Sequence, residues 1–356
     1  MVQYLQNRSV KSFNELALCS NSLDGPIPTY LGNLRNMARL YISSNWLSGS
    51  IPQEMGTLIN LLELYMDTNL KGLIPSTFEN PRKLTVLHAF SNKLSGPIPQ
   101  EVGKLKSLES LSRHTNKFSG SIPTSLGDLR NLTLLHLYDN LLLGLIPKDL
   151  GNLKSLKNLE LSENQLNGLI PKGLNSCASL VRAHLEANQL IRNLAEDFGV
   201  YPNLNFINIS LNNFHGEISS NWGTCPNLTG LYVAGNNITG RIPTEIGEAT
   251  QLQELDFSSN YFVGEIRKAL GKICLCLQKR KKAPPTEPSG QQDGLFSIST
   301  FDGNVLCNEI MQATKAFDAM HGIGIGGYGS VNKAKLISDI TVAVKKLHLS
   351  SNSESM

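Results

Sequence analysis

Apolar residues recur along most of this chain with two superposed periods. The short period is two, as in Leu135-His-Leu137 and Leu159-Glu-Leu161. The long one is marked by asparagines at 21, 45, 69, 92, 116, 140, 164, 188, 212, 236 and 260, nine of whose ten gaps are 24 residues and one 23. Counted from each asparagine, the residue eight before is apolar in all eleven repeats, from Phe13 and Met37 to Leu252. The residue five before is apolar throughout, and the residue three before is apolar in ten, with Arg113 the exception. Apolar residues two apart predict a short strand with one face inward. A fixed period of this size predicts a solenoid, because one such turn cannot bury its apolar face until neighbours stack on it. The expectation is eleven short parallel strands lining one side of a coil over residues 1–272.

The polar letters of the repeat have structural work to do. An asparagine side chain offers donors and acceptors that can pair backbone groups of adjacent turns, giving an internal ladder. Glycine at 25, 49, 72, 96, 120, 144, 168, 216, 240 and 264 predicts a tight bend, and the following Ile-Pro pair an extended segment. The pattern over Leu135–Pro147, LxLxxNxLxGxIP, is a leucine-rich repeat. It resembles the plant extracellular subclass found in receptor-like kinases and secreted inhibitor proteins. That resemblance implies an α/β-type solenoid with a parallel sheet on the concave face and a mostly irregular or 3-10 convex side.

Residues four and two before each asparagine point out of the concave sheet. Down the coil they read Tyr41, Tyr65 with Asp67, His88 with Phe90, His114, His136 with Tyr138, Glu160, and His184 with Glu186. Amphipathic aromatics are typical binding anchors, and the resembled family uses this face for peptide or protein ligands, together with a co-receptor kinase of the same repeat type. The competing reading is that solvated strand positions accept any polar residue. A metal site on His88, His114 and His136 has nothing in the sequence to orient the rings, so no metal is expected.

Charged residues make up 17% of the chain, with a formal net charge of +3, which argues against nucleic acid as the main partner. Six cysteines, at 19, 177, 225, 274, 276 and 307, show neither a disulfide framework nor zinc spacing. Five N-x-S/T triplets, at Asn7, Asn131, Asn208, Asn227 and Asn237, are candidates for glycosylation. The opening residues, Met1–Arg8, lack the apolar core of a signal peptide.

The repeat pattern stops after Gly271. Ile273–Leu277 is apolar but far short of the roughly 20 residues that span a bilayer, and Lys-rich 278–282 and a Pro/Ser-rich run follow. Two readings stand, a remnant of a stop-transfer segment or a solvated basic linker; residues 273–300 are expected to form a juxtamembrane-like linker, disordered over 278–300. Cys274 and Cys276 would be open to lipidation beside a membrane.

Beyond the linker stands Ile323-Gly324-Ile-Gly326-Gly-Tyr-Gly329-Ser-Val331, with Val342-Ala343-Val-Lys345 fourteen residues later. A lone GxGxxG also serves dinucleotide folds. Paired with a lysine on a following strand, it fits a kinase glycine loop, and β-branched residues after the motif disfavour the helix a dinucleotide site requires. With the lead-in Asp302-Gly303 and Ile310–Phe317, this stretch resembles the start of plant leucine-rich-repeat receptor-like serine/threonine kinases. The resemblance implies that Ile323, Gly324, Gly326, Gly329, Val331, Ala343 and Lys345 contact ATP, with magnesium, in a partial N-lobe over residues 301–356. It also implies a single-pass plasma-membrane protein. Asn332 departs from the family's usual tyrosine.

The residues given contain no catalytic-loop or metal-binding motif, no leader and no complete membrane helix. The expectation is a truncated or degenerate member without kinase activity that binds no cofactor tightly. The alternative is a non-catalytic interaction module with a vestigial kinase stub.

Overall fold

A computed structural model describes residues 13–191, 194 and 201–265, and the backbone of four short strands at 274–275, 322–326, 329–335 and 341–347. Asn7, Cys276, the linker 278–300 and the lead-in 310–317 lie outside the described residues. The chain divides into two compact units, the repeats and a C-terminal unit.

The repeats form the expected parallel sheet, with three-residue strands from Glu15–Ala17 to Glu254–Asp256 following one another in sequence order. Each register partner is the equivalent residue one repeat on: Leu40 lies beside Leu64, Leu64 beside Leu87, and Leu111 beside Leu135. A twelfth strand, Cys274–Leu275, continues the sheet past the boundary expected at residue 272. The residues five and three before the asparagines fill the core, so that Leu111, Leu135, Leu137, Leu159 and Leu161 are fully buried.

Opposite the strands run 3-10 turns such as Thr124–Asp128 and Lys148–Asn152. A proline stands immediately before both, with φ −63 and ψ 133 at Pro123 and φ −62 and ψ 133 at Pro147, so its fixed φ launches the turn, whereas Ser219 takes that place before Ser220–Thr224. The segment after the asparagine does more than bend. From Lys71–Gly72 to Gln189–Leu190 it forms a second, six-stranded sheet along the flank, a pairing that the glycine pattern did not reveal. The glycine four after the asparagine does adopt the left-handed region, with φ 79 at Gly144.

The asparagine ladder is present in nine repeats. Asn140 is typical: Nδ2 lies 3.1 Å from the carbonyls of Leu137, Tyr138 and, one repeat back, Arg113, while Oδ1 accepts from the Phe118 N–H at 3.0 Å. Asn21, in the first repeat, bonds only within its own turn. The repeat marked by Asn69 is one residue out of step, and there the ladder is broken. The Leu47 carbonyl accepts instead from the Asn69 backbone N–H at 3.1 Å.

A second asparagine column escaped the sequence reading. Asn60, Asn131, Asn203 and Asn227 each donate to a carbonyl 25 residues earlier, at 2.7 to 3.1 Å. Threonines two residues on, Thr133 and Thr229, donate likewise at 2.9 and 3.2 Å. The Asn-Leu-Thr triplets at 131 and 227 thus have a structural role in the coil.

Glycines in the 3-10 turns let successive repeats touch. A Cβ on Gly127 would run into the backbone carbonyl of Asp149, which has no side-chain freedom with which to retreat. Gly127→Ala is therefore expected to lower stability by about 1–3 kcal/mol. Urea denaturation followed by circular dichroism measures this, and an unchanged midpoint would show that the repeats can separate there at no cost.

In the C-terminal unit, Gly322–Gly326, Gly329–Lys335 and Thr341–Leu347 make a three-stranded antiparallel sheet. A strand, not a helix, follows the glycine motif.

Candidate functional site

The strands place a continuous row of rings on the concave surface. Tyr41 and Tyr65 meet edge to face at 5.2 Å, and Tyr65 meets His88 in the same way at 4.7 Å. His88 passes the row to Phe90 at 6.0 Å. Then three rings stack almost parallel: Phe90 on His114 at 4.6 Å and 11°, and His114 on Tyr138 at 4.2 Å and 7°. His136 lies against both His114 and Tyr138, at 6.3 and 6.2 Å. The local reason is the repeat itself: equivalent residues of neighbouring strands sit about 4.8 Å apart, so consecutive rings in one column must stack or interlock. Seven of the eleven strip residues belong to this run, and Asp67 stands outside it.

Glu160, His184 and Glu186 form the rest. The Glu160 carboxylate lies 3.4 Å from His136 Nε2, yet that nitrogen makes no hydrogen bond. Burial, and after it the neighbouring His114, His88 and His184, pushes His136 down to about 4, so this contact joins a neutral imidazole to a carboxylate and is no ion pair near neutral pH. Burial also lowers His88, whose Nε2 lies 2.8 Å from Ser110 Oγ, and His114. His136 therefore brings no positive charge to Glu160 between pH 5 and 7.

Reading only two positions per strand missed part of the face. The residue six before each asparagine also points outward, as period two requires. It supplies Phe206, which stacks on His184 at 4.8 Å and lies 5.2 Å from Tyr232, and Arg182, whose guanidinium sits 4.8 Å over the Phe206 ring. In the same column, Glu63 accepts from the Tyr41 hydroxyl at 2.7 Å, and Glu254 from that of Tyr232 at 2.6 Å.

The sequons fall on different surfaces. Asn131 and Asn227 sit in the second asparagine column, while Asn237 is exposed on the flanking strand Asn237–Thr239. Asn208 lies in a concave strand, its Oδ1 accepting from the Ser210 N–H at 3.0 Å, so a glycan there would close the face at the ninth repeat. Cys19, Cys177 and Cys225 are free thiols. Among the described residues no cluster suits a metal ion, and no helix is long and apolar enough to cross a membrane. A groove of about 1140 Å³ follows the Ile-Pro segments, lined by residues such as Ile51, Pro75 and Pro99. It gathers little chemistry beyond Glu54 and Glu101 and lies away from the ring row.

In the C-terminal unit, Ile323, Gly324 and Gly326 belong to the first strand. Gly329 opens the second across a hairpin, and Val331 pairs in register with both Gly324 and Lys345. Ala343 pairs with Lys333 on the same sheet. The backbone therefore brings the glycine hairpin and the lysine strand together.

This fold and its repeat define a leucine-rich-repeat solenoid, and the Leucine Rich Repeat family model matches residues 131–153, 155–177, 227–249 and 251–273. The chain carries leucine-rich repeats, and the curated relatives it matches are named as plant receptor-like kinases. It is similar to MDIS1-interacting receptor like kinase 2 of Arabidopsis thaliana, with 43% identity over 82 residues, 23% of this chain and 8% of that protein. Among solved structures it resembles the plant peptide hormone receptor RGFR1 in complex with RGF2, at 33% identity and a TM-score of 0.70 over 76% of this chain and 47% of that one. It also resembles the Arabidopsis receptor kinase HAESA in complex with the peptide hormone IDA and the co-receptor SERK1, at 32% identity and a TM-score of 0.64 over 72% of this chain and 48% of that one. The chain spans less than half the length of each.

Proposed function

We propose that the repeats are the ligand-recognition part of a plant receptor-like kinase and that an extended peptide lies along their concave face. The observation that carries this reading is the unbroken row of rings from Tyr41 to Tyr138, half-buried and turned outward over five consecutive repeats. A purely structural sheet face gains little from so many rings exposed to water, whereas a binding face does. The peptide complexes of similar receptors support the reading, and the co-receptor in one of them makes a second repeat kinase the natural partner. The same reading places the repeats outside the cell, at the plasma membrane. Photo-crosslinking with peptides of a random library tests it: adducts should fall on the concave strands. Adducts confined to the flanking sheet or the 3-10 turns would overturn it.

The C-terminal unit is proposed as the beginning of the kinase domain. The glycine hairpin offers backbone amides without Cβ atoms, and Lys345 stands on the neighbouring strand, an arrangement that fits the phosphates of ATP. Magnesium would supply charge neutralisation to those phosphates, and the three strands themselves carry no carboxylate that would hold it. This polypeptide is therefore expected to bind ATP with magnesium more weakly than about 1 mM. Isothermal titration is the measurement, with Lys345→Met as control. Submillimolar affinity abolished by that substitution would show that the sheet binds nucleotide by itself.

A further inference from the structure

Charge is distributed unevenly along the concave face. In repeats six to eight, Glu160 and Glu186 project from strand positions, and Asp139 and Glu163 stand in the turns beside Tyr138. Burial and then Glu160, Asp139 and Glu163 hold the Tyr138 hydroxyl above its usual range. Burial raises Glu160 as well, with Glu186 adding to the effect and His184 and Arg182 opposing it. The Oε2 atom of Glu186 has no hydrogen-bond partner. The guanidinium nearby, Arg182, lies over the Phe206 ring, and at the other end of the face Arg39 is held by Glu15 and Glu63. The whole chain carries +3, so the negative stretch is local. It is also walled by rings, Tyr138 and His136 before it and His184 and Phe206 after it, which exclude water and strengthen any charge pair formed between them.

Two small residues interrupt the ring columns. Ser112 stands between His88 and His136, and Ser162 between Tyr138 and Glu186, and both serines are buried beneath their larger neighbours. From His114, at the middle of the three-ring stack, to the Glu160–Glu186 pair is two to three strand spacings, about 10–14 Å. An extended peptide covers that distance in about three or four residues.

We infer that the ligand is a peptide carrying a lysine or arginine that sits between Glu160 and Glu186, with an apolar or ring side chain three or four residues away on the Phe90–His114–Tyr138 stack. This rests on the concave-face reading above. Glu160 and Glu186 supply the carboxylates, Tyr138 and Phe206 the ring faces that a cation also favours, and the stack supplies the apolar anchor.

The test uses the full chain and a set of twelve-residue peptides, acetylated and amidated at their ends so that the side chain is the sole cation. One series carries a phenylalanine and an arginine three or four residues apart. Matched series replace the arginine with glutamine or glutamate, or move it next to the phenylalanine. Fluorescence polarisation should show the spaced arginine peptides binding about tenfold or more tighter than their glutamine and glutamate counterparts. Glu160→Gln with Glu186→Gln should remove that preference while leaving the glutamine peptides unchanged, and Glu160→Arg should turn the preference towards glutamate. A melting curve for each variant shows that the repeats remain folded. Binding indifferent to charge, or lost equally for all peptides on Glu160→Gln, would overturn the inference and leave the concave-face reading intact. Absence of binding by any peptide, in the set or in a random library, would overturn both.

Discussion

Replacing Arg113 with leucine is expected to raise the stability of the repeats by about 2–4 kcal/mol. Arg113 occupies the core position three before Asn116, where the other repeats carry apolar residues, and it is only 1% exposed. Among the described residues no carboxylate pairs with it, and Nε and Nη1 are buried without a hydrogen-bond partner. A charge held in that way costs several kcal/mol relative to a packed aliphatic side chain. Burial pushes the guanidinium from the ordinary arginine range down to about 9. The sign of the pH dependence follows. Below about pH 9 the group is charged in both folded and unfolded chains, and the full penalty applies. Above about 9, and up to the ordinary arginine range, the unfolded chain keeps the proton that the folded chain releases, so the natural protein gains stability as pH rises. Arg113→Leu should therefore show its full advantage at pH 7, and the gap should narrow above pH 9. Urea midpoints for both proteins at pH 7 and pH 10 measure this. A leucine variant no more stable than the parent would mean that the guanidinium has partners in solution. The backbone of Arg113 still serves the ladder, since its carbonyl accepts from both Asn116 and Asn140, and a side-chain change leaves those bonds in place.

The solenoid was legible because its causes are local and repeated. The alternation at Leu135 and Leu137, the ladder of asparagines, the left-handed glycines and the prolines before 3-10 turns all follow from one turn of the coil. What stayed hidden depends on the next turn. The second sheet forms when the segment after Asn140 meets the one after Asn116, and no period announces backbone pairing. Gly127 reads as an unremarkable turn glycine until Asp149 is seen against it. The site divides in the same way. Columns four and two before the asparagine were read correctly as outward, and equivalent rings had to meet. Phe206 and Arg182 were missed because a third outward column was left unread, though period two predicts it. The burial that lowers His136 arises from rings belonging to neighbouring repeats, and the identity of a single residue carries no trace of it.

Truncating the centre of the ring row is expected to cost far more than truncating its ends. His114 is stacked on both faces, by Phe90 and by Tyr138, so His114→Ala or Tyr138→Ala removes an anchor and loosens its neighbours. Each should weaken peptide binding by about 2 kcal/mol or more, roughly thirtyfold. Asp256→Ala, in the eleventh repeat, should change it by less than about threefold. The pH response separates this face from one of ordinary solvated histidines. An exposed histidine titrates near 6.5, and protonation there would show between pH 7 and 5.5. Burial holds His88 and His114 below that value and His136 at about 4. The part of the binding that depends on His136 should consequently change little from pH 7 to 5.5. Below about pH 5 it should weaken, as the imidazoles gain charge and Glu160, raised by burial, loses its own. The fold responds with the same sign: an unfolded His136 takes up its proton near 6.5 while the folded one refuses it until about 4, so acidification across that range lowers stability. Affinities at pH 7, 5.5 and 4.5, with circular dichroism at each pH to show that the repeats persist, supply the measurement. A transition centred near 6.5, or equal losses from His114→Ala and Asp256→Ala, would make the row a set of solvated strand positions and remove the basis for a central docking surface.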